Sequence, residues 1–165
     1  MEHQLRFRDA TPEDAGTIAA IYNESVVAGD STMDDECKTA EDIERTMAGF
    51  NDRETYLLLE QEDGVVGWGI IKRYSDRAGY RYCCETSVYV RRNRMRRGYG
   101  SRLQEALIDR CRTYGYHHIV AKILATNEGS IRMHETFGFE IVGTQREIGY
   151  MHDQWQDVVI MQCVL

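Results

Sequence analysis

The stretch 85–100, ETSVYVRRNRMRRGYG, constrains this chain more than any other part of it. It reads as a strand that runs into an arginine-rich turn, then Gly98 and Gly100, then the start of a helix. Glycine has no Cβ, so the backbone there reaches dihedrals closed to other residues and can approach a ligand closely. The first amides of the following helix have no partner within the helix, and the helix dipole favours an anion beside them. Arginines around the turn add charge-assisted bonds that match phosphate geometry. The segment is a candidate phosphate-binding turn, with a solvated arginine-rich turn as the plain alternative. Two common phosphate loops are excluded. Gly98-Tyr99-Gly100-Ser101 holds no lysine for a Gly-Lys-Ser/Thr ending, and G-x-G-x-x-G fails because position 103 is Leu.

The chain's 165 residues are enough for one domain with a real core. No apolar run approaches the ~20 residues needed to span a bilayer, and the N-terminal MEHQLRFRDA lacks the apolar core of a signal peptide. Cys37, Cys83, Cys84, Cys111 and Cys163 form no C-x-x-C pair and no even framework. Free thiols in a reducing cytoplasm are the simple reading. The net charge of −7 opposes nucleic-acid binding. Against it, Arg91, Arg92, Arg94, Arg96, Arg97 and Arg102 form a local positive site that suits a small anion better than a long polyanion.

The patterning is an α/β alternation. A short strand is expected over 5–8. Thr11 with Asp14, and Pro12 at the first helical position, announce a helix with Ile18, Ile21, Tyr22 and Val26 on its apolar face. Thr39 with Asp42 repeats the capping signature before a more polar helix holding Ile43 and Met47. Strands at 56–60 and 65–72 around Glu62-Asp63-Gly64 read as an antiparallel hairpin. A strand at 80–90, a helix at 101–114 and a strand at 119–124 follow. Asn127 caps a short helix that stops at Gly138. Strands at 140–148 and 157–164 close the chain. The expected fold class is α/β (α+β): a mixed, mostly antiparallel sheet with flanking helices and a β-α-β unit in its second half. No linker or repeat marks a boundary, so residues 1–165 read as one domain.

Four segments, taken together, carry a family resemblance. They are Gly79-Tyr80-Arg81 with Glu85-x-Ser-Val-Tyr-Val90, Arg96-Arg97-Gly98-Tyr99-Gly100-Ser101-x-Leu103, Asn127-x-x-Ser130-Ile131-x-x-His134-Glu135-x-x-Gly138-Phe139, and Trp155-x-Asp157 with Gln162. Ala20-Ile21-Tyr22-Asn23 fits as well. The set resembles the GNAT superfamily of acyl-CoA N-acyltransferases, and within it the phosphinothricin and methionine sulfoximine acetyltransferase branch. Met95 departs from the usual Gln/Arg that opens the phosphate loop, and Met151 and Asp153 stand where the branch often has Lys and Gly.

The resemblance implies a GNAT fold, acetyl-CoA as co-substrate, and direct acetyl transfer to an amine. In it Val88, Tyr89, Val90, Met95, Arg96, Arg97, Gly98, Tyr99, Gly100, Ser101, Asn127 and Ser130 hold the cofactor. The strand bearing Val88–Val90 splays from its neighbour and offers backbone groups, although V-Y-V fits an ordinary buried strand equally well. Glu85 is the expected general base, a partly buried carboxylate able to take a proton from the amine; a strand-end Glu paired with an arginine is the alternative. His134 is a second catalytic candidate, or a residue that only lines the site, or a packed or solvated residue on an amphipathic helix. Asn127 can cap its helix and reach the pantetheine arm with different atoms.

Gly79, Tyr80 and Arg81 match positions that line the acceptor pocket of the branch, and Arg81, or Arg73 on the preceding strand, is a reasonable partner for an acceptor carboxylate. The acidic segment 31–36, STMDDE, hints at a cationic or amino acceptor, or is simply a surface loop. His117-His118 has no ligand at metal spacing, so no metal is expected. The expected partner is a small-molecule amine, with no nucleic acid and no membrane, in a chain expected to form a homodimer. An acyl-CoA sensor without turnover, or an enzyme acting on a polyamine or a protein N-terminus, are the competing functions.

Overall fold

The computed structural model describes residues 4–165. Its strands are β1 (Arg6–Asp9), β2 (Thr55–Gln61), β3 (Gly64–Arg73), β4 (Cys83–Val90), β5 (His118–Leu124), β6 (Glu140–Met151) and β7 (Gln154–Val164). Its helices are α1 (Ala15–Ala28), α2 (Ala40–Ala48), α3 (Tyr99–Thr113) and α4 (Glu128–Thr136). The strands form one sheet in the order β1-β2-β3-β4-β5-β7-β6. Every neighbouring pair is antiparallel except β4 with β5, which α3 joins as a β-α-β unit. This is the mixed, mostly antiparallel sheet with flanking helices that the patterning predicts.

The local signals act as expected, with shifts at the ends. Asp14 accepts from the Thr11 amide at 2.8 Å, but the first turn, Pro12–Asp14, is a 3₁₀ turn and α1 begins after it. At α2, Thr39 and Asp42 satisfy each other's backbone amides reciprocally, at 2.8 and 3.2 Å. The strand expected from residue 80 begins only at Cys83, because Ala78–Tyr80 closes a 3₁₀ turn first. The last two strands run longer than predicted and meet in a tight turn at His152 and Asp153, both with positive φ (50° and 59°).

Alternation along the strands divides two cores. Leu57, Ile71, Cys84 and Val88 meet Leu107 and Cys111 of α3 on one face. Leu58, Trp68, Ile70 and Tyr89 meet Ile18 and Ile21 of α1 and Ile43 of α2 on the other. On the second face, Trp68 packs against Tyr56 (5.2 Å) and Tyr89 (4.8 Å), and its Nε1 donates to the Ile18 carbonyl at 3.1 Å. Trp68 is therefore a core residue. Helix α3 lies close to β3 because Gly67 and Gly69 leave room. A Cβ on Gly69 would come within 2.6 Å of Leu107, and one on Gly67 within 2.7 Å of the Tyr89 carbonyl.

Candidate active site

The site begins where the sheet forks. Strand β4 stays paired with β3 up to Val90, opposite Gly67, but with β5 only from Cys83 to Glu85, opposite His118 to Val120. Past Glu85 the two strands part. The amide of Arg91 donates to Val66 on the β3 side at 2.9 Å, while the Tyr82 carbonyl accepts from His117 and His118 on the β5 side at 2.8 and 3.1 Å. Peptide groups alternate along a strand. The N–H and C=O of Val88 and Val90 therefore point into the fork, where β5 supplies no partner.

A cleft of about 500 Å³ fills the open end of the fork. Val88, Tyr89, Val90, Met95, Arg96, Gly98, Tyr99, Gly100, Ser101, Asn127 and Ser130 line it; Arg97 does not. Helix α3 begins there with no side chain capping it, and its first internal bond runs from the Arg102 amide to the Gly98 carbonyl at 3.1 Å. Gly98 holds φ 81°, a conformation that favours glycine, and Arg96 holds φ 61°. The amides of Tyr99, Gly100 and Ser101 are left as an anion site at a helix N-terminus.

The arginine cluster is less open than the sequence implies. Arg91 donates to the Val65 carbonyl at 2.7 Å and pairs with Glu24. Arg92 pairs with Asp30, and Arg94 with Asp63 and Gln61. Among the described residues Arg96, Arg97 and Arg102 have no ion pair, and Arg96 alone of these three faces the cleft. The paired arginines instead tie the loop after α1 and the β2–β3 turn to the phosphate turn.

On α4, Asn127 Oδ1 accepts from the Ser130 amide at 3.3 Å, so the amide nitrogen of its side chain is the end left for a ligand. His134 does not line the cleft. It is buried, its Nδ1 donates to the Ser130 carbonyl at 2.7 Å, and its ring meets Phe139 edge-on at 4.9 Å. Burial pushes its pKa below the ordinary histidine value. With its Nδ1 committed to Ser130 and its ring enclosed against Phe139, His134 stands apart from the residues that line the cleft.

Glu85 sits at the point of the fork. Cys84 and Val88 face α3, so Glu85 and Tyr89 face the opposite side. Its partner is not an arginine: Lys122 Nζ lies 3.2 Å from Glu85 Oε2, and the Glu85 side chain is 17% exposed. Beside it, on the same face, a second cleft of about 440 Å³ is lined by Tyr74, Gly79, Tyr80, Tyr82, Cys83, Val120 and Ile160. Gly79 and Tyr80 are thus at a cleft next to Glu85, whereas the two arginines are committed elsewhere. Arg73 bonds Glu54 and Asp76, each at 2.6 Å. Arg81 donates to the Ala78 carbonyl at 3.0 Å and stacks on Tyr82.

In the 31–36 segment, Asp34 accepts from the Tyr22 hydroxyl and lies 3.6 Å from Lys38. Burial pushes the Tyr22 phenol well above its ordinary pKa, and that of Tyr89 to about 12. Sequence reasoning missed Lys122, whose signal is a lone charge inside the apolar run 119–124. It also missed Ser25, Thr126 and Met133 in the first cleft, which carry no motif; of the acidic segment 31–36, Ser31 lines that cleft. Among the described residues no group of three or more His, Cys, Asp or Glu is placed to hold a metal. No helix there is long and apolar enough to cross a membrane.

Residues 7–160 match the model of the acetyltransferase (GNAT) domain. The chain is 36% identical to an L-methionine sulfoximine/L-methionine sulfone acetyltransferase of Pseudomonas aeruginosa, over 94% of this chain and 91% of that one. It is 32% identical to the L-amino acid N-acyltransferase MnaT of Escherichia coli, over 98% and 94%. Among solved structures, a GNAT superfamily phosphinothricin acetyltransferase from Sinorhizobium meliloti in complex with AcCoA superposes with a TM-score of 0.92 at 28% identity, over 98% of this chain and 88% of that one. The forked sheet, the uncapped α3 turn and these full-length likenesses lead to one conclusion: the chain belongs to the GNAT family of acetyltransferases, enzymes that use acetyl-CoA as their acetyl donor.

Proposed function

We propose that the chain acetylates the amine of a small L-amino acid or a close analogue of the phosphinothricin, methionine sulfoximine or methionine sulfone type. Glu85 is the general base, taking the amine's proton directly or through a water. The observation that carries this reading is the position of the Glu85 carboxylate, at the point where β4 and β5 part, on the face that carries Cys83 and Val120 of the second cleft. Relatives named for amino-acid acetylation at 30% identity or more support the substrate class.

The residues of the first cleft fit acetyl-CoA. The α3 amides with Gly98, Gly100 and Arg96 suit a pyrophosphate, and Asn127 and Ser130 suit the pantetheine arm. Bound there, acetyl-CoA would supply an activated acetyl thioester: the amine would attack its carbonyl carbon, and the C–S bond would break, with CoA leaving as the thiolate and taking up a proton. The free backbone amides of Val88 and Val90 are placed to donate to an oxygen that gains negative charge; one such donor is worth ~3 kcal/mol. No covalent nucleophile is needed, since holding two reactants side by side removes much of the entropic barrier. His134 takes no part in this chemistry. A homodimer and a cytoplasmic setting belong to the same reading, supported by exposed apolar side chains on β6 and β7 and by free thiols throughout.

The test is thiol release from acetyl-CoA across phosphinothricin, methionine sulfoximine, methionine sulfone, ordinary amino acids and polyamines, with Glu85→Gln as control. Release with the amino-acid set, reduced about 10²- to 10⁴-fold in the variant with acetyl-CoA affinity kept, is the expected result. Release only with polyamines discards the substrate class. Acetyl-CoA binding without release from any acceptor moves the assignment to a sensor.

A further inference from the structure

We infer that Lys122 is a specificity-determining residue that reads the carboxylate of the acceptor. This rests on the amino-acid reading above and deepens it. Lys122 lies on β5 two residues beyond Val120, the last residue of β5 paired with β4, so it is the first side chain on that face after the fork opens. Its ammonium bridges the fork to Glu85 at 3.2 Å. Its neighbours line the second cleft: Ile160, its register partner on β7, and Tyr74, whose ring centroid is 6.0 Å from Nζ.

In this pair a base and an ammonium already touch. An acceptor amine must reach Glu85, where Lys122 Nζ now sits. Lys122 is the partner able to yield, because its side chain is 49% exposed on a flexible stem while that of Glu85 is 17% exposed. A displaced cation beside an incoming ammonium is a like-charge contact unless an anion arrives with it. An α-amino acid brings that anion two bonds from its amine. Its ammonium goes to Glu85 and its carboxylate to Lys122, so one ion pair becomes two with no charge stranded. A polyamine or an amino amide brings no carboxylate and meets Lys122 unpaired. Arg73 and Arg81 are poor alternatives for this role, since Arg73 is held by Glu54 and Asp76, and Arg81 is folded back on Ala78 and Tyr82.

The experiment compares kcat/KM for L-methionine sulfone and for its carboxamide in the native enzyme, Lys122→Met and Lys122→Arg. A charge-assisted bond of the usual strength gives the native enzyme a preference for the acid of about 10- to 100-fold. Lys122→Met is expected to bring that ratio close to one, mainly through a higher KM for the acid. Lys122→Arg is expected to keep most of the preference. Lys122→Gln, of similar length and uncharged, gives the same answer as the Met variant should the latter fold poorly. If the Met and Gln variants lower kcat for both substrates and leave the ratio intact, Lys122 merely orients Glu85 and the inference is overturned. A native enzyme that binds acetyl-CoA but acetylates neither compound, nor any other amino acid, overturns the substrate class and this inference together.

Discussion

The imidazole of His134 donates from Nδ1 to the Ser130 carbonyl at 2.7 Å and stands edge-on to Phe139 at 4.9 Å. Burial depresses its pKa, so the folded chain resists the proton that the unfolded chain accepts near 6.5. The sign follows from that difference. The neutral side chain is fully compatible with folding above the unfolded value, and stability is lost as pH falls through 6.5 toward the folded pKa. A His134→Leu variant removes this titration. Its melting temperature is expected to fall less steeply than that of the native protein as the buffer is taken below pH 6.5. Its acetyl transfer is expected to stay within about tenfold of native, where loss of an acid or base would cost 10²-fold or more. A steep acid limb in both proteins contradicts the first expectation, and a collapse of turnover in the folded variant contradicts the second. The sequence could place His134 and Ser130 on one helix face, four residues apart, but not say that the face turns inward. Glu85 stands out as a candidate because it precedes V-Y-V and the phosphate turn. Its cationic partner does not, because the Lys122 pairing depends on where β4 and β5 separate.

At the scale of elements, the contact between α3 and β3 fixes the phosphate turn relative to the fork. Leu107 lies where a side chain on Gly69 would be, 2.6 Å from the missing Cβ. Gly69→Val must push α3 outward or distort β3, at a cost of about 1–3 kcal/mol by overpacking. For a chain of this size that is a melting temperature lower by about 2–4 °C per kcal/mol. Because α3 carries the anion-binding amides at its start, KM for acetyl-CoA is expected to rise with it. An unchanged melting curve and an unchanged KM would mean that the helix is not held by this contact. Elements with local signals were readable: the capping pairs, the β2–β3 turn at Gly64, and the glycine after α4. The β6–β7 turn was not, since His152 and Asp153 adopt positive φ without the Gly or Asn that normally marks such a turn. The strands on either side were accordingly read too short.

At the scale of the molecule, the two faces of the sheet are unequally covered. The core around α1 and α2 draws on β2, β3 and β4 and includes no residue of β5, β6 or β7. The far edge of the sheet keeps Ile141, Val142, Ile148, Tyr150 and Trp155 exposed, Trp155 at 63%, with the rings of Tyr150 and Trp155 paired at 5.0 Å. Exposed apolar side chains gathered on two strands at one edge of the sheet, in an otherwise charged chain, point to an interface. A second copy of the chain is the simplest cover, because a two-fold contact lets one patch bury itself. A stable dimer needs about 800 Å² from each partner, with aromatic residues at its centre. Sedimentation equilibrium of the native protein at micromolar concentration is expected to give twice the chain mass. Trp155→Glu places a charge beside Tyr150 among these exposed side chains, where burial without a partner is costly, and is expected to give the mass of one chain with the fold retained by circular dichroism. A native protein that sediments as one chain at all concentrations sinks the dimer, and a variant that still sediments as two moves the interface away from β6 and β7.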